Sequence, residues 1–150
     1  MTSKPNKAEV SQSVHGSLSW LSRAGLRPTK QRIKLAQFLF EDDKNKHVTA
    51  ESLFDSVKNS NIGISLATVY NTLKAFREAG LINEVMMDSG KSYFDTRLDD
   101  HPHFFWEDTG EISDAPSKVL QIKNLPKPPN NYKITKVDVI IRVRKSNLNT

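Results

Sequence analysis

Two histidines separated by one proline are the residues of this sequence best suited to bind a metal ion. They open the stretch HPHFFWEDTGE, which runs from His101 to Glu111. On an extended backbone, residues i and i+2 point the same way and lie about 7 Å apart at Cα, so both imidazoles can converge on one ion. Pro102 fixes its own φ and favours an extended His101, which supports that geometry. Because such pairs are common in loops, the residues alone leave open a sensor site or a polar loop.

Positive charge is concentrated in the first part of the chain. Residues 1–84 carry twelve Lys and Arg against eight Asp and Glu, whereas residues 85–150 carry ten against nine. Five cations and no anion lie between Arg23 and Lys34. This bias fits a polyanionic partner, because neutralisation of phosphates drives nucleic-acid binding. It also fits a solvated charged face.

The chain has no cysteine, which excludes disulfides, thiolate zinc sites and cysteine nucleophiles. No apolar run approaches the length of a membrane span, and the polar first fifteen residues lack the hydrophobic region of an export signal. We therefore expect a cytoplasmic protein without a membrane partner.

Helical periodicity dominates the first half of the chain. Residues 1–16 are polar and are predicted to form a disordered tail. A helix is predicted from Leu18 to the region of Gly25, and a second over TKQRIKLAQFLFE. Thr49 is placed to cap a third helix, AESLFDSVKNS.

The next helix is the most informative. Ser65 can cap LATVYNTLKAFREAG, and Gly80 follows where a C′ glycine belongs. Its apolar stripe consists of Leu66, Val69, Leu73 and Phe76. The segment LINEVMM-DSG-KSYFD then predicts a hairpin with a turn at Asp88–Gly90. Helices followed by a hairpin predict a winged helix-turn-helix over residues 17–95; a small helical domain with another role is the alternative.

Residues 96–145 are predicted to form a small α/β dimerisation and sensor domain, which makes the fold class α/β (α+β). HFFWED and GEISD predict two short strands, APSKVLQIKNL a short helix and YKITKVDVIIRVRK one long strand. A domain this short rarely stands alone, so a second copy is its simplest partner. A homodimer would also place two recognition helices on a two-fold, palindromic DNA site.

Six segments in this order resemble the Fur family of metal-responsive repressors: AGLRPTKQR, HVTAESLF, SLATVYNTL, AGLI, GKSYFD and HPHFFWEDTGEISD. The resemblance covers about residues 18–145. Asn71, where many members have arginine, and the cysteine-free HFFWEDTGE are most similar to the iron response regulator branch, which senses haem. Trp106 and Thr109 stand where the first CxxC pair of other members would be, so the structural zinc of those members is not expected.

The resemblance implies that the helix after Ser65 enters the major groove of duplex DNA. The DNA-binding residues that it implies are Arg27, Thr68, Tyr70, Asn71 and Lys74. Asparagine can pair with adenine, and tyrosine can pack against a thymine methyl. Thr68 and Lys74 would hold phosphates, and Arg27 would approach a narrow A/T-rich minor groove. The alternative for Tyr70 is a partly buried core position.

The resemblance also implies a regulatory metal site between the two domains. Its ligands would be His47, Asp95, His101, His103 and Asp114. This mixed nitrogen and oxygen set suits Fe²⁺, Mn²⁺, Zn²⁺ or Co²⁺. Haem, through His101 or His103, is the other effector that the branch implies, although two histidines on one side of a strand cannot readily ligate opposite faces of one porphyrin.

These features predict a sequence-specific transcriptional regulator of iron and haem homeostasis rather than an enzyme. No Ser/His/Asp or Cys/His arrangement indicates a catalyst. Two alternatives remain at this point. A metal-dependent cupin-like enzyme would also carry an H-x-H pair, but it needs a β-rich jelly roll. A winged-helix interaction module would carry a non-functional sensor site.

Overall fold

The chain divides into two compact units, Met1–Leu98 and Asp99–Thr150. The structure is a computed structural model that describes residues 14–40, 44–87 and 90–147. Within those ranges, no helix is both long enough and apolar enough to cross a bilayer.

The first unit contains four helices in the described ranges: α1 Val14–Arg23, α2 Lys30–Phe40, α3 Ala50–Val57 and α4 Leu66–Glu78. Helix α1 begins at Val14, four residues before Leu18 and inside the predicted disordered tail. Burial of Trp20 and Leu21 anchors this helix, and tertiary packing lets a short helix extend beyond its apolar residues. The rest of the predicted tail, residues 1–13, lies outside the described residues.

The predicted caps set the starts of α3 and α4. The Thr49 side chain accepts a hydrogen bond from the Ser52 backbone N–H at 3.1 Å, and the Ser52 hydroxyl oxygen accepts one from the Thr49 N–H at 2.9 Å. Ser65 Oγ accepts a hydrogen bond from the Thr68 N–H at 3.1 Å. Each cap satisfies an N–H that the helix leaves without an intrahelical acceptor.

Glycines end α1 and α4, as the sequence predicts. Gly25 and Gly80 adopt positive φ angles of 77° and 75°. The Gly80 N–H donates to the Arg77 carbonyl and the Leu81 N–H donates to the Phe76 carbonyl, both at 2.9 Å. This is the Schellman pattern, which favours glycine because a Cβ is strained at positive φ.

The core of the first unit lies where the four helices and the sheet meet. Trp20 packs edge-to-face against Phe40 and Phe76, with ring centroids 4.4 and 5.5 Å away. The predicted stripe of α4 is buried at Val69, Leu73 and Phe76. The other buried hydrophobic residues of the core are Leu21, Leu35, Ala36, Leu39, Val48, Ala50, Leu53, Val57, Ile64, Leu81, Ile82 and Phe94.

A three-stranded sheet of order β1-β3-β2 completes the first unit. Its strands are β1 His47–Val48, β2 Asn83–Met86 and β3 Ser92–Asp95. The predicted hairpin is confirmed by the antiparallel pairing of β2 with β3; residues 88 and 89 of its turn lie outside the described residues. Strand β1 is not predicted, because two residues carry no periodic pattern. It sets His47 directly opposite Asp95.

The second unit is a three-stranded sheet of order β5-β4-β6. The two predicted short strands are confirmed as β4 His103–Trp106 and β5 Glu111–Asp114, which pair antiparallel. Strand β6 is Ile140–Val143 and pairs parallel to β4. The prediction of one long strand over residues 132–145 is wrong, because only these four residues find a strand partner in the described part of the unit.

The short helix predicted after Ala115 is also absent from the described residues, so the second unit shows strands alone there. A single turn of helix is unfavourable unless its apolar face is packed, and the side chains of this segment make few contacts within its own unit. The exposed large hydrophobic residues of this region are Val119, Ile122, Leu125, Tyr132, Ile134 and Val137. The second unit therefore presents apolar side chains that no described element of the chain covers.

The architecture confirms an α+β fold with a winged helix-turn-helix. The described residues form four helices and two three-stranded sheets rather than an eight-stranded jelly roll. The cupin-like alternative, which needs that jelly roll, is therefore wrong.

Candidate functional site

The first unit contributes a buried histidine–carboxylate pair, His47 and Asp95. Their backbones are register partners across β1 and β3. His47 Nε2 lies 3.2 Å from Asp95 Oδ2, and the two side chains are 13% and 1% exposed. Asp95 Oδ1 accepts a hydrogen bond from the Arg97 N–H at 2.8 Å. Oδ1 is thus held in place by the backbone, while Oδ2 is directed at the His47 imidazole.

The second unit contributes a triad of His101, His103 and Asp114. The two imidazoles lie on the same side of the extended chain, as predicted, with ring centroids 4.4 Å apart. His103 is the register partner of Asp114. Asp114 Oδ1 lies 2.7 Å from His101 Nε2 and 3.7 Å from His103 Nε2. One carboxylate oxygen therefore faces both rings and lies at hydrogen-bonding distance from the His101 ring.

The backbone fixes the orientation of the His101 ring. His101 Nδ1 lies 2.6 Å from the carbonyl oxygen of Asp99. A carbonyl oxygen can only accept, so Nδ1 carries the proton of this hydrogen bond. In the neutral tautomer, Nε2 then presents its lone pair to the Asp114 carboxylate. Two acceptor atoms 2.7 Å apart repel each other, and a divalent ion bound to both atoms would remove that repulsion.

These donors fit a small divalent ion. Potential ligand atoms of the triad all lie within 4.8 Å of one another, and the same holds for the pair. Imidazole and carboxylate donors suit Fe²⁺, Mn²⁺, Zn²⁺ or Co²⁺, and a backbone carbonyl bound to the second ring nitrogen is the usual support of a ligating histidine. Because the chain has no cysteine, a cysteine-ligated zinc is excluded.

The predicted base readers lie on the exposed face of α4. Tyr70 is 45% exposed, so part of its side chain is open to solvent and part is buried against the helix packing. Asn71 and Lys74 are also exposed, and they lie opposite the buried stripe. Thr68 differs from them, because its hydroxyl lies 3.0 Å from Ser65 Oγ and is already engaged at the helix cap.

Arg27 lies in the segment between α1 and α2 and is exposed. Its carbonyl oxygen accepts a hydrogen bond from Arg32 Nη1 at 3.0 Å, which ties the turn to α2. Thr29 Oγ1 accepts from the Arg32 N–H at 3.2 Å and caps the start of that helix. The basic segment is therefore built on a helix start rather than on a loose loop.

The sequence reasoning missed the contact between Tyr70 and Glu51. The Tyr70 hydroxyl donates to Glu51 Oε1 at 2.5 Å, across 19 residues of sequence. This hydrogen bond lowers the pKa of the Glu51 carboxyl and raises the pKa of the Tyr70 hydroxyl above its ordinary value. No local sequence pattern predicts this hydrogen bond, because it depends on the packing of α3 against α4.

The sequence profile of the ferric uptake regulator family matches residues 23–142. The chain belongs to this family. A peroxide operon regulator of Bacillus subtilis (strain 168) is 35% identical over 97 residues, 65% of this chain and 66% of that protein. The peroxide-responsive repressor PerR of Staphylococcus aureus (strain Mu50) is 28% identical over 127 residues, 84% of each chain.

A solved structure of a ferric uptake regulator is also similar in fold. The protein of Pseudomonas aeruginosa, determined with manganese, has a TM-score of 0.62 and 25% identity over 86% of this chain and 97% of that one. Members of the ferric uptake regulator family are metal-responsive transcriptional regulators, so the predicted family, fold and general function are confirmed.

Proposed function

We propose that the chain is a dimeric repressor-type regulator whose affinity for specific DNA depends on one divalent ion held by both of its units. The ligands of that ion are His47, Asp95, His101, His103 and Asp114. The observation that carries the proposal is the His101 ring, whose Nδ1 donates to a carbonyl oxygen while Nε2 faces a carboxylate.

Neither ligand cluster is complete by itself. The first unit offers one histidine and one carboxylate, and the second offers two histidines and one carboxylate. Transition metals in proteins commonly take four to six donors, so a shared ion accommodates all five side chains. An ion bound by both units restricts their relative orientation. DNA binding by a dimer requires such an orientation, since two recognition helices must match two half-sites.

The DNA-reading part of the proposal rests on the exposed side chains of α4. Tyr70 and Asn71 contact bases, while Lys74 and Thr68 contact phosphates. Arg27 enters an adjacent minor groove, which is narrow in A/T-rich sequences. A palindromic, A/T-rich operator follows from these contacts and from a two-fold dimer. The exposed apolar residues of the second unit supply the surface for that dimer.

The test measures binding to a fluorescent duplex that the protein itself selects from a random pool. Metal-free protein is compared with protein loaded with Mn²⁺, Fe²⁺ or Zn²⁺. We expect affinity for the selected duplex to rise with at least one ion while affinity for a scrambled duplex changes little. Equal affinity for both duplexes under every condition would refute the proposal and favour a winged-helix interaction module.

A second comparison asks whether one ion or two are bound. Asp95→Asn and His103→Ala each remove a ligand from a different unit. If one ion is shared, each variant loses the metal effect and the double variant loses no more than either one. If the units bind separate ions, each variant keeps part of the effect and their losses add.

We also propose that the protein is cytoplasmic. We further propose that it belongs to the iron response regulator branch, on the strength of Asn71 and its cysteine-free HFFWEDTGE segment. Haem has less support as the effector than a divalent ion. The His101 and His103 side chains are 2% and 8% exposed and lie against Asp114 rather than at an open surface. A Soret band that appears on titration and shifts in His101→Ala would reverse this preference.

Peroxide is a second candidate signal, because both relatives are named for it. The thiolate-free ligand set of this chain is compatible with Fe²⁺. Peroxide treatment of Fe²⁺-loaded and Mn²⁺-loaded protein separates the possibilities. Loss of duplex binding in the iron form alone supports a peroxide response, whereas equal retention in both forms excludes it.

A further inference from the structure

The hydroxyl of Tyr70 is held by a carboxylate that belongs to a different helix. Glu51 lies in the first turn of α3, and its Oε1 accepts the Tyr70 hydrogen bond at 2.5 Å. A phenol donating to an ionised carboxylate forms a short, strong hydrogen bond. The pKa of Glu51 is lowered chiefly by this bond, so the carboxylate is ionised at neutral pH.

Packing does not fix the Tyr70 ring. The residue is 45% exposed and borders an open cleft of about 480 Å³. The cleft is lined by Thr49, Ala50, Glu51, Tyr70, Gly90, Lys91 and Ser92. The ring therefore has room to turn towards the β2–β3 hairpin, and the hydrogen bond to Glu51 is what restrains it.

A carboxylate on a surface that meets DNA has a cost. It repels phosphates of every sequence by a similar amount, because phosphates carry no sequence information. By orienting the Tyr70 ring, the carboxylate also increases affinity, but only for DNA in which that ring meets the correct base edge. A group that weakens binding to all DNA and restores it on one sequence raises discrimination between sequences.

We infer that Glu51 is a specificity-determining positioning residue, which weakens binding to all DNA through its charge and restores it on the correct sequence by orienting the Tyr70 ring for base contact. The inference rests on the proposed binding of DNA through α4. It adds a residue from α3 to a recognition surface otherwise confined to α4 and the turn that carries Arg27.

The experiment uses the full-length, metal-loaded protein and two duplexes of equal length, one selected by the wild type and one scrambled. Glu51→Gln removes the charge and keeps an acceptor for the hydroxyl, whereas Glu51→Ala removes both. Asp55→Asn is the matched control, because Asp55 is an exposed carboxylate of the same helix whose contact is Lys58 at 3.3 Å. Melting temperatures verify that each variant is folded.

We expect Glu51→Ala to bind the scrambled duplex more tightly and the selected duplex more weakly, which lowers the ratio of affinities by roughly fivefold or more, within the range of coupled contact pairs. Glu51→Gln should fall between Glu51→Ala and the wild type. Asp55→Asn should strengthen both complexes equally and leave the ratio unchanged. In a Tyr70→Phe background, Glu51→Ala should lower the ratio no further.

Ultraviolet titration supplies a readout that a purely structural role would not move. The hydrogen bond raises the pKa of Tyr70, so Glu51→Ala should return that ionisation to its ordinary range while Asp55→Asn should not. The inference is overturned if Glu51→Ala matches Asp55→Asn on both duplexes. It is also overturned if Glu51→Ala lowers the ratio of affinities by the same factor in the Tyr70→Phe background as in the wild type. If the wild type does not distinguish the duplexes, the proposed function itself fails and the inference falls with it.

Discussion

Asp95→Asn tests the metal centre at its most buried ligand. The Asp95 side chain is 1% exposed; one of its oxygens accepts a hydrogen bond from the Arg97 N–H at 2.8 Å, and the other faces His47 Nε2 at 3.2 Å. Asparagine keeps the shape and one acceptor, but it removes the negative charge. We expect the metal-free variant to lose about 1 kcal/mol of stability, as one charge-assisted hydrogen bond becomes neutral.

The effect of metal on melting temperature is larger and separable from that loss. At a metal concentration about 100 times its dissociation constant, the wild type gains about 2.7 kcal/mol. For a chain of this size each kcal/mol shifts the melting temperature by about 2–4 °C, so we expect a rise of roughly 5–11 °C. If loss of the ligand weakens affinity about 100-fold, the gain falls to about 0.4 kcal/mol, or roughly 1–2 °C.

The assay is thermal unfolding followed by circular dichroism, with chelator and then with the ion, each variant being compared with its own metal-free state. Asp138→Asn serves as the control, because Asp138 is exposed, contacts Lys136 at 3.0 Å and lies outside both ligand clusters. It should keep the full rise. An equal metal-dependent rise in Asp95→Asn and the wild type would show that Asp95 is not a ligand.

Four further outcomes are expected. Asn71→Ala should cost about 1–3 kcal/mol on the selected duplex and relax one base position; an equal loss on scrambled DNA would contradict base reading. Leu73→Ala should lower the free energy of unfolding by about 2–5 kcal/mol in denaturant titrations, since Leu73 is 0% exposed in the core. Ile141→Asp should abolish a dimer of about twice the 17.0 kDa chain mass in light scattering, whereas a monomeric wild type that still binds a palindrome at full strength would oppose the dimer. The stability that Glu51 confers through Tyr70 should be present below about pH 10 and be lost as the pH rises through the raised tyrosine pKa, so the difference in melting temperature between wild type and Glu51→Gln should shrink there and not at pH 7.

Local signals were sufficient to predict most of the helices and the hairpin of the first unit. Ser65, the stripe of α4 and Gly80 each act within a few residues of their own position, and together they determine where that helix begins and ends. The two predicted strands of the hairpin follow the same rule. Strand β1 escaped prediction because two residues acquire extended structure only by pairing with β3.

The second unit shows where periodicity misleads. Residues Ile134 and Val137 belong to the alternating pattern that predicts a strand, yet both are exposed and only Ile140–Val143 pairs. Alternation records which side chains can share a face; it does not supply the neighbouring strand that a ladder needs. A pattern that serves contact with a second copy has the same appearance as one that serves the chain's own core.

The candidate metal ligands were predictable as residue types, but their support was not. The H-x-H spacing indicates that two imidazoles share a side, which the ring separation of 4.4 Å confirms. The hydrogen bond from His101 to the Asp99 carbonyl and the oxygen of Asp114 that both rings share depend on the fold of the loop before β4 and on the β4–β5 register. The residue types predict which ligands are present, whereas the orientation of those ligands depends on packing.

The parallel pairing of β6 with β4 makes the second unit vulnerable to proteolysis in a chain that has not yet dimerised. The connection between β5 and β6 carries no helix or strand over residues 116–139, and it holds the exposed lysines Lys118, Lys123, Lys127 and Lys133. Exposed, irregular segments of this kind are preferred cleavage sites. A cut there would release β6 from its covalent tether and leave Phe104 to Trp106 on an open strand edge. Such edges pair with other chains, so a nicked molecule should aggregate rather than persist as a truncated regulator.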